Sequence, residues 1–266
     1  MNKTKERKRN KKDYVIQSVM HAIDLLEAFK GENDELGVTE LSKKLGLHKN
    51  NVFRLLATLE SRGYIEQDRQ TGNYKLGVKV LELGQHFIKH LGLLRQAHPV
   101  MRELLGKCNE NIYISVLRGN GCVYIDGLEA NQVVKVTSRI GQRLPLHACA
   151  SGKVLISFET EDELLKMFPQ EELKRFTPNT ITSRTEFFKQ LKEVQEKGYA
   201  LDLEELDIGV RCVASPIRDY TRKIVGAISI SAPSLRMDDE KLKTFFIPLI
   251  IEAGKEISHR LGYIEE

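Results

Sequence analysis

The sequence predicts an α+β protein of two domains, and three patterns carry that prediction. Helical periodicity fills the first third of the chain and ends in a short β-hairpin. Alternating β-rich runs and amphipathic helices follow, which is typical of helices packed on a largely antiparallel sheet. The chain has 266 residues, 41% of them hydrophobic, which is enough for two separate cores.

The expected order is a disordered basic arm over 1–12, a helix-rich domain over 13–76, a linker helix over 77–94 and a second domain over 95–266. Residues 1–78 hold 15 Lys and Arg against 11 Asp and Glu, whereas the remaining residues hold 26 of each. Basic charge gathered at one end indicates a polyanionic partner. A solubilising tail would explain the arm equally well.

Three other classes of protein are not expected. No run of about 18 uncharged apolar residues is present, so we expect no membrane span. The basic N-terminus is not followed by an apolar segment, so it does not read as a secretory signal. Four widely spaced cysteines without a C-x-x-C pair suit a reducing cytoplasm, and we expect neither a metal nor another cofactor. These cysteines are Cys108, Cys122, Cys149 and Cys212.

Three helices are expected before the hairpin. The first begins behind Ser18, the second is capped by Thr39 and ends at Gly46, and the third runs from about His48 to Ser61. Two helices joined by a tight glycine turn are typical of a helix-turn-helix. The expected inward residues are Val19, Ala22, Ile23, Leu26 and Phe29, then Leu41, Leu45 and Leu47, then Val52, Leu55, Leu56 and Leu59.

The polar face of the third helix is a candidate DNA-reading surface. The second helix of a helix-turn-helix enters the major groove, where Asn and Arg can form bidentate hydrogen bonds to base edges and Lys can face phosphate. The hairpin would be a wing beside it. A solvated surface helix would show similar polar residues, so the prediction depends on the helix, wing and arm together. The expected DNA contacts are Lys49, Asn50, Asn51 and Arg54 on the helix, and Arg69 and Lys75 on the wing.

The second domain alternates strands and helices. Gly119-Asn120-Gly121 predicts a hairpin turn, and residues 132–140 predict a third strand. A strand, a polar turn and another strand are expected over 211–233. Residues 202–207, DLEELD, are expected to form an exposed acidic turn apart from Asp202. Helices are expected over 151–158, 161–168, 184–198 and 239–262.

The last predicted strand carries two hydroxyl groups on one face. Buried hydroxyls without partners cost about 1–3 kcal/mol each, so a bound polar ligand would stabilise them, as would backbone groups or water. Strand alternation predicts one face with Ile224, Gly226, Ile228 and Ile230, and the other with Val225, Ala227, Ser229 and Ser231.

Several segments in the same order carry a family resemblance. SVMHAIDLLEAF, VTELSKKLGLHKNNVFRLLATLESRGYI and TGNYKLG together resemble the winged helix-turn-helix of the IclR family of bacterial transcriptional regulators. LPLHACASGKVLISF, TITSRTEFFKQLKEVQEKGYALDLEE and GVRCVASPIRDYTRKIVGAISISAP are similar to the C-terminal effector-binding domain of that family, a GAF-like fold. The resemblance covers nearly the whole chain except the arm. It implies a ligand-responsive regulator, with a repressor favoured over an activator.

The resemblance also implies a site and an assembly. A small organic or keto acid would lie between the sheet and HACASGK, with backbone N–H groups at a helix N-terminus facing its carboxylate. Some relatives have Gly-Ala where this chain has Ala150-Ser151. A homodimer, or a pair of dimers, would present two recognition helices to a pseudo-palindromic double-stranded operator. The implied effector-binding residues are Ala150, Ser151, Asp202, Cys212, Ser229 and Ser231, with Val133 and Val136 as an apolar wall.

Two alternatives concern the chemistry of the second domain. Cys149 or Cys212 could be a nucleophile with His147 as its base, which would make the domain an enzyme. The same three side chains could ligate a metal, although the sequence offers no evident fourth ligand. A third alternative is a DNA-packing protein that uses the basic arm without sequence choice.

Overall fold

The computed structural model describes residues 15–29, 35–90 and 92–264, with residues 85–90 described through their backbone alone. The predicted basic arm lies outside the described residues. The chain divides into two compact units between residues 87 and 88. No helix in the described ranges is both long and apolar enough to cross a membrane.

The N-terminal unit is a winged helix-turn-helix, as the sequence predicts. Gly46 ends the second helix with a φ of 64°, a left-handed conformation that glycine adopts without steric cost and that permits the tight turn. The two strands of the wing are antiparallel. The elements are α1 (Gln17–Glu27), α2 (Val38–Leu45), α3 (Lys49–Ser61), β1 (Ile65–Gln67), β2 (Tyr74–Leu76) and α4 (Val78–His90), which runs past the division between the units.

Helix starts differ from the sequence prediction. Ile16, not Ser18, is the N-cap of α1. Gly37, not Thr39, is the N-cap of α2, because the Glu40 side chain accepts the Gly37 N–H at 3.0 Å and satisfies a donor that the helix leaves free. The N-cap of α3 is His48, and this helix begins where the sequence predicts.

The core of the N-terminal unit excludes part of the predicted inward face of α1. Val19 and Ile23, expected inside, are 53% and 51% exposed. Leu25 and Phe29 are the buried anchors of this segment. The other fully buried apolar side chains of the unit, each at 0% exposure, are Leu41, Val52, Leu56 and Ile65.

The C-terminal unit is built on a six-stranded sheet in the order β5-β4-β3-β8-β7-β6, in which every neighbouring pair is antiparallel. A π-helical turn over Leu242–Phe246 interrupts the long C-terminal helix that the sequence predicts. The elements are α5 (Gly92–Cys108), β3 (Asn111–Arg118), β4 (Gly121–Leu128), β5 (Arg143–Leu144), α6 (Ala150–Ile156), α7 (Glu161–Met167), α8 (Arg184–Lys197), β6 (Ala200–Leu203), β7 (Val210–Arg218), β8 (Ile224–Pro233), α9 (Asp239–Lys241) and α10 (Ile247–Arg260).

Helices cover both faces of the sheet and create two cores. On one face, α5 and α10 pack Met101 and Ile250 against Ile228 and Ile230 of β8. On the other face, α6 and α8 pack a second cluster, which includes Tyr113, Val154, Phe187 and Ala214. We call this second side of the sheet the α6 face. The α+β class and the largely antiparallel sheet are therefore confirmed.

Residues 132–140 form a loop, so the third strand predicted there is wrong. The Asn111 side chain explains the difference. Its Nδ2 donates to Val136 O at 2.6 Å and its Oδ1 accepts the Ala130 N–H at 2.8 Å, so an amide side chain satisfies backbone groups that a strand would pair in a ladder. The two-residue β5, which the sequence analysis missed, pairs with β4 instead.

Strand alternation in β8 holds from Ala227 to Ser231 and fails at its start. Ile217 pairs with Gly226 but Arg218 pairs with Ile224, so Val225 is an extra residue in a β-bulge. As a result Ile224 packs on the α6 face and Val225 packs on the opposite face, the reverse of the sequence prediction.

Candidate nucleic-acid interface and ligand cavity

The predicted recognition residues lie on the outer face of α3. All four are exposed in the first two turns of this helix, whereas Val52, on its inner face, is fully buried. The four residues are Lys49, Asn50, Asn51 and Arg54. Within the described ranges, neither basic side chain forms an ion pair with an acidic residue. Their charges are therefore available to a phosphate backbone.

Phe53 is a feature of α3 that the sequence analysis missed. Its side chain is 56% exposed between the buried Val52 and the exposed Arg54. An aromatic ring on a surface rich in amide and basic groups can contact a thymine methyl in the major groove. The signal was present in the sequence, because the inward stripe of this helix leaves Phe53 on the outer side.

The wing presents its basic residues on an ordered turn. Asp68 Oδ1 accepts the N–H groups of Gln70 at 2.8 Å and Thr71 at 2.9 Å, and these bonds hold the pKa of the Asp68 carboxyl below its usual value. Arg69 is exposed in this turn and Lys75 is partly exposed on β2. The hydrogen bonds of Asp68 therefore order the turn that presents Arg69 to solvent.

A small cavity lies on the α6 face of the sheet. Its volume is about 10 Å³, the space of about one water molecule. Four of the predicted effector-binding residues line it, namely Val136, Asp202, Cys212 and Ser231. The other lining residues are Tyr124, Arg139, Leu144, Cys149, Leu206, Asp207 and Val210.

A row of four polar side chains runs across the α6 face of the sheet, and three of them line this cavity. Asn111 of β3, Ser231 of β8, Cys212 of β7 and Asp202 of β6 are consecutive partners in strand register, so they point to one face. The Cys212 thiol donates to Ser231 Oγ at 3.2 Å. The Ser231 hydroxyl hydrogen is therefore free to point at a ligand.

The remaining predicted effector residues do not line the cavity. Ala150 and Ser151 begin α6, and Ser229 lies two residues before Ser231 on the same strand face. The Oγ atoms of Ser151 and Ser229 are buried and have no hydrogen-bond partner among the described residues. Val133 is fully exposed on the loop.

Gly152 determines how closely α6 approaches the backbone at Leu146. A Cβ at this position would lie 2.5 Å from Leu146 O and 2.6 Å from Leu146 Cα, which is closer than packed atoms allow. Glycine therefore permits the helix to lie against the chain that precedes it. The sequence contains the glycine, but only the structure shows that it packs against the backbone of Leu146.

A buried ion pair next to the cavity escaped the sequence analysis. Lys153 Nζ lies 2.5 Å from Glu205 Oε1 and donates to Leu201 O at 2.8 Å, with the Lys153 side chain at 0% exposure. Glu205 is buried at 5% exposure, so the expectation of an exposed acidic turn over 202–207 is wrong for this residue. The two residues lie far apart in sequence, and no local pattern links them.

Asp202 has an unusual charge state beside this pair. Burial raises the pKa of the Asp202 carboxyl to about 7, although the Glu205 N–H, donated to Asp202 Oδ1 at 2.8 Å, acts in the opposite direction. A buried carboxylate loses its hydration, which favours the protonated form. At neutral pH this carboxyl can therefore donate as well as accept a hydrogen bond.

Among the described residues, no hydrogen bond joins His147 to Cys149 or to Cys212. His147 Nε2 lies 2.8 Å from Lys174 O, and burial lowers the pKa of the imidazole. The Cys149 thiol donates to Pro145 O at 3.2 Å, and its neighbour Cys122 together with burial raises the pKa of that thiol. Burial likewise raises the pKa of Cys212. Within the described part of the chain, no group of three or more His, Cys, Asp or Glu side chains is placed to hold a metal ion.

A winged helix-turn-helix joined to a separate unit with a polar cavity is the design of a ligand-responsive transcriptional regulator. The family model of the IclR helix-turn-helix domain matches residues 18–69, and that of the bacterial transcriptional regulator IclR C-terminal domain matches residues 85–259. The chain belongs to the IclR family of bacterial transcriptional regulators. It is thus a DNA-binding regulator and not an enzyme, and the alternative with a cysteine nucleophile is wrong.

Relatives of known name agree with this assignment. The chain is 38% identical to the HTH-type transcriptional regulator XynR of Escherichia coli K12 over 249 residues, which cover 94% of this chain and 98% of XynR. It is 33% identical to the HTH-type transcriptional repressor AllR of the same organism over 246 residues, 92% of this chain and 90% of AllR.

Solved structures share the fold over nearly the same length. The Thermotoga maritima IclR structure matches with a TM-score of 0.75 and 29% identity, covering 93% of this chain and 99% of that chain. An IclR homologue from Microbacterium hydrocarbonoxydans, solved with 4-hydroxybenzoate, matches with a TM-score of 0.82 and 22% identity, covering 92% and 99%.

Proposed function

We propose that this protein is a cytoplasmic repressor that binds a pseudo-palindromic DNA operator and responds to a small organic or keto acid. The observation that carries the proposal is the row of Ser231, Cys212 and Asp202 that lines the cavity, in a chain that also presents a recognition helix. The name of AllR as a repressor supports repression over activation. The proposed parts are a DNA-binding domain over 13–76, a linker helix over 77–94 and an effector-binding domain over 95–266.

The proposed DNA contacts are those on α3 and the wing. Asn50, Asn51 and Arg54 read base edges in the major groove, and Lys49 faces phosphate. Arg69 and Lys75 of the wing contact the neighbouring DNA backbone. Exposure of these side chains on one helix and one ordered turn supports the assignment.

The proposed operator-binding species is a homodimer, alone or in a pair of dimers. An apolar stripe at the start of α1 follows the i, i+3, i+4, i+7 spacing of one helix face. It consists of Ile16 at the N-cap and Val19, Met20 and Ile23 in the helix, which are 65%, 53%, 40% and 51% exposed. An apolar stripe of this kind supports contact with a second copy of the chain. One recognition helix alone makes too few base contacts for tight binding, which a dimer doubles.

The proposed effector is a small carboxylic acid held on the polar row. Asp202, Cys212 and Ser231 contact its polar groups and Val136 contacts its apolar part. The orphan hydroxyls of Ser151 and Ser229 support further contacts from these residues, from the Ala150 backbone and from Val133 after the loop moves. Because the cavity has room for about one water, binding requires rearrangement of its wall. The effector acts only if it binds two states of the protein with different affinity.

The first test is operator binding. Fluorescence anisotropy would compare the purified protein on its own upstream intergenic DNA with a scrambled duplex at one stated salt concentration. We expect the native fragment to bind tighter by about a hundredfold or more. Equal, salt-sensitive binding to both duplexes would instead indicate non-specific attraction to the DNA backbone.

The second test concerns the serines. We expect the double variant Ser229→Ala, Ser231→Ala to lose the response of operator binding to acids such as pyruvate and 4-hydroxybenzoate, while its affinity for the operator stays near that of the wild type. Anisotropy titrations with and without each acid measure both quantities. A collapse of operator binding in the absence of acid would show that the serines are structural.

A further inference from the structure

An ion pair closes the mouth of the cavity. Arg139 lies in the loop that follows β4 and Asp207 lies in the loop between β6 and β7, and both line the cavity. Arg139 Nη2 donates to Asp207 Oδ2. The Arg139 side chain is 22% exposed and the Asp207 side chain 44% exposed, so the pair lies at the boundary between cavity and solvent.

Arg139 is the cation that a bound acid would meet. Among the described residues that line the cavity, it alone carries a positive charge. The floor offers an acid, a hydroxyl and thiols instead, in Asp202, Ser231, Cys149 and Cys212. Lys153 does not line the cavity, and its ammonium group already contacts Glu205 and Leu201 O. A carboxylate that enters therefore has one available counter-charge.

The backbone on both sides of the mouth is held in place. The Gln142 N–H donates to Arg139 O at 3.0 Å and the Gly141 N–H donates to Tyr124 O at 2.7 Å, which ties the Arg139 turn to β4. The Gly209 N–H donates to Glu204 Oε1 at 2.8 Å within the opposite loop. Rotation of the Asp207 and Arg139 side chains would separate the ion pair without breaking any of these backbone bonds.

We propose that Arg139 is the carboxylate-binding residue of the effector site and that Asp207 occupies it as an internal competitor when no effector is bound. The inference rests on the proposed function for the class of effector. The incoming acid exchanges its carboxylate for that of Asp207, and the guanidinium can hold either one through two parallel hydrogen bonds. Asp207, already partly exposed, then turns into water with little desolvation cost.

Isothermal titration calorimetry on the full-length protein tests the exchange, with pyruvate and 4-hydroxybenzoate as the probes. Asp207→Asn removes the competitor, so we expect the Kd of at least one acid to fall about tenfold. Arg139→Gln removes the guanidinium, so we expect the Kd to rise about tenfold or beyond measurement. Arg139→Lys keeps the positive charge but loses the planar pair of N–H donors of the guanidinium. Its Kd for the acid should lie between those of Arg139→Gln and the wild type.

A second ion pair of the same unit gives matched controls. Arg184 and Glu171 are 23% and 53% exposed, close to the values of the mouth pair, and neither lines the cavity. Arg184→Gln and Glu171→Gln should leave the Kd of the acid unchanged. Thermal melting of all variants separates a change of affinity from a loss of folded protein.

Two results would overturn the inference. The first is equal acid binding by Arg139→Gln and the wild type. The second is no saturable binding of either acid to Asp207→Asn, because a freed guanidinium at the cavity mouth should hold a carboxylate.

Operator anisotropy on the same samples separates this inference from the proposed function. Acid binding that needs Arg139 but leaves operator affinity unchanged supports the inference and refutes the proposed response. Acid binding that does not depend on Arg139 but changes operator affinity would refute the inference and support the proposed response.

Discussion

The two candidate sites differ in what their polar side chains already contact. On α3, Lys49 and Arg54 are exposed and form no ion pair with an acidic residue of the described chain. In the C-terminal unit, Lys153, Glu205 and Asp202 are almost completely buried and bonded to one another or to nearby backbone. The exposed surface of α3 therefore contributes little to the stability of the folded N-terminal unit. The buried polar groups, in contrast, are part of the core that stabilises the C-terminal unit. Substitutions on α3 should therefore change DNA binding without changing the free energy of unfolding. Substitutions of the buried groups in the C-terminal unit should change the free energy of unfolding as well as ligand binding.

The largest expected effect is that of Lys153→Met. Removing the ammonium group leaves Glu205 as a buried, uncompensated charge, which costs about 3–5 kcal/mol of the free energy of unfolding. Urea denaturation of the full chain, followed by far-UV circular dichroism, measures the loss. Adding Glu205→Leu to the same variant should restore part of it, because the unpaired charge is then gone.

The matched control is Lys197→Met. Lys197 pairs with Glu193 on the surface of α8, with both side chains more than half exposed. Solvent screens this pair, so we expect no measurable change in stability. If the two Lys→Met variants lost equal stability, the contrast between buried and exposed sites would not hold.

A smaller effect is expected from Asp202→Asn, and it depends on pH. The carboxyl has a pKa of about 7 in the folded chain against an ordinary value of 3.8. Between these values the folded chain keeps a proton that the unfolded chain has released, so wild-type stability falls as pH rises through this window, by at most roughly 4 kcal/mol. Asn lacks this titration, and its Oδ1 can still accept the Glu205 N–H.

Urea denaturation at pH 5 and pH 8, at about constant ionic strength, checks this expectation. The Asn variant should gain stability relative to the wild type at the higher pH, and the gain should shrink at the lower pH. Asp239→Asn is the control, because it removes a carboxylate that is 79% exposed and paired with Arg211 in solvent, and we expect it to change stability by about 1 kcal/mol or less at either pH. An Asp202→Asn difference that is the same at both pH values would argue against the raised pKa.

The smallest expected change in free energy is that of Arg54→Ala, which should affect operator binding but not unfolding. Loss of a bidentate contact to a base should weaken operator binding by about 1–3 kcal/mol, with the free energy of unfolding unchanged. Anisotropy and urea denaturation measure the two quantities. Arg62, exposed at the C-cap of the same helix, supplies an equal charge away from the N-terminal turns. If Arg62→Ala weakened binding as much, non-specific charge attraction would explain the effect.

The secondary structure of the N-terminal unit is predictable from the sequence because the residue patterns that specify it are local. Helical spacing and the glycine turn at Gly46 predict α2 and α3, although the N-cap of α2 is Gly37 and not Thr39, and the β-rich hairpin pattern predicts the wing. The errors in burial are at places where a tertiary contact decides. Val19 and Ile23 have the spacing of core residues, yet α1 buries a different face against its neighbours.

The cavity was predictable in part, through strand register and the family resemblance. Asp202, Cys212 and Ser231 lie together because three strands pair in register, and Val136 joins them from a loop. Other features needed the folded structure. The Lys153–Glu205 pair joins residues that no local pattern connects, and the Asn111 amide holds 129–140 as a loop despite its β-branched residues.

The buried thiols have a consequence for the chemical durability of the protein. Oxidants and alkylating agents attack the thiolate, and burial raises the pKa of the Cys108 and Cys212 thiols, while Cys122 and burial raise that of Cys149. At neutral pH these residues carry less thiolate than a free cysteine does. Peroxide should therefore oxidise Cys149 and Cys212 of the cavity wall more slowly than it oxidises a free cysteine, so the cavity keeps its chemistry when the redox state of its surroundings changes.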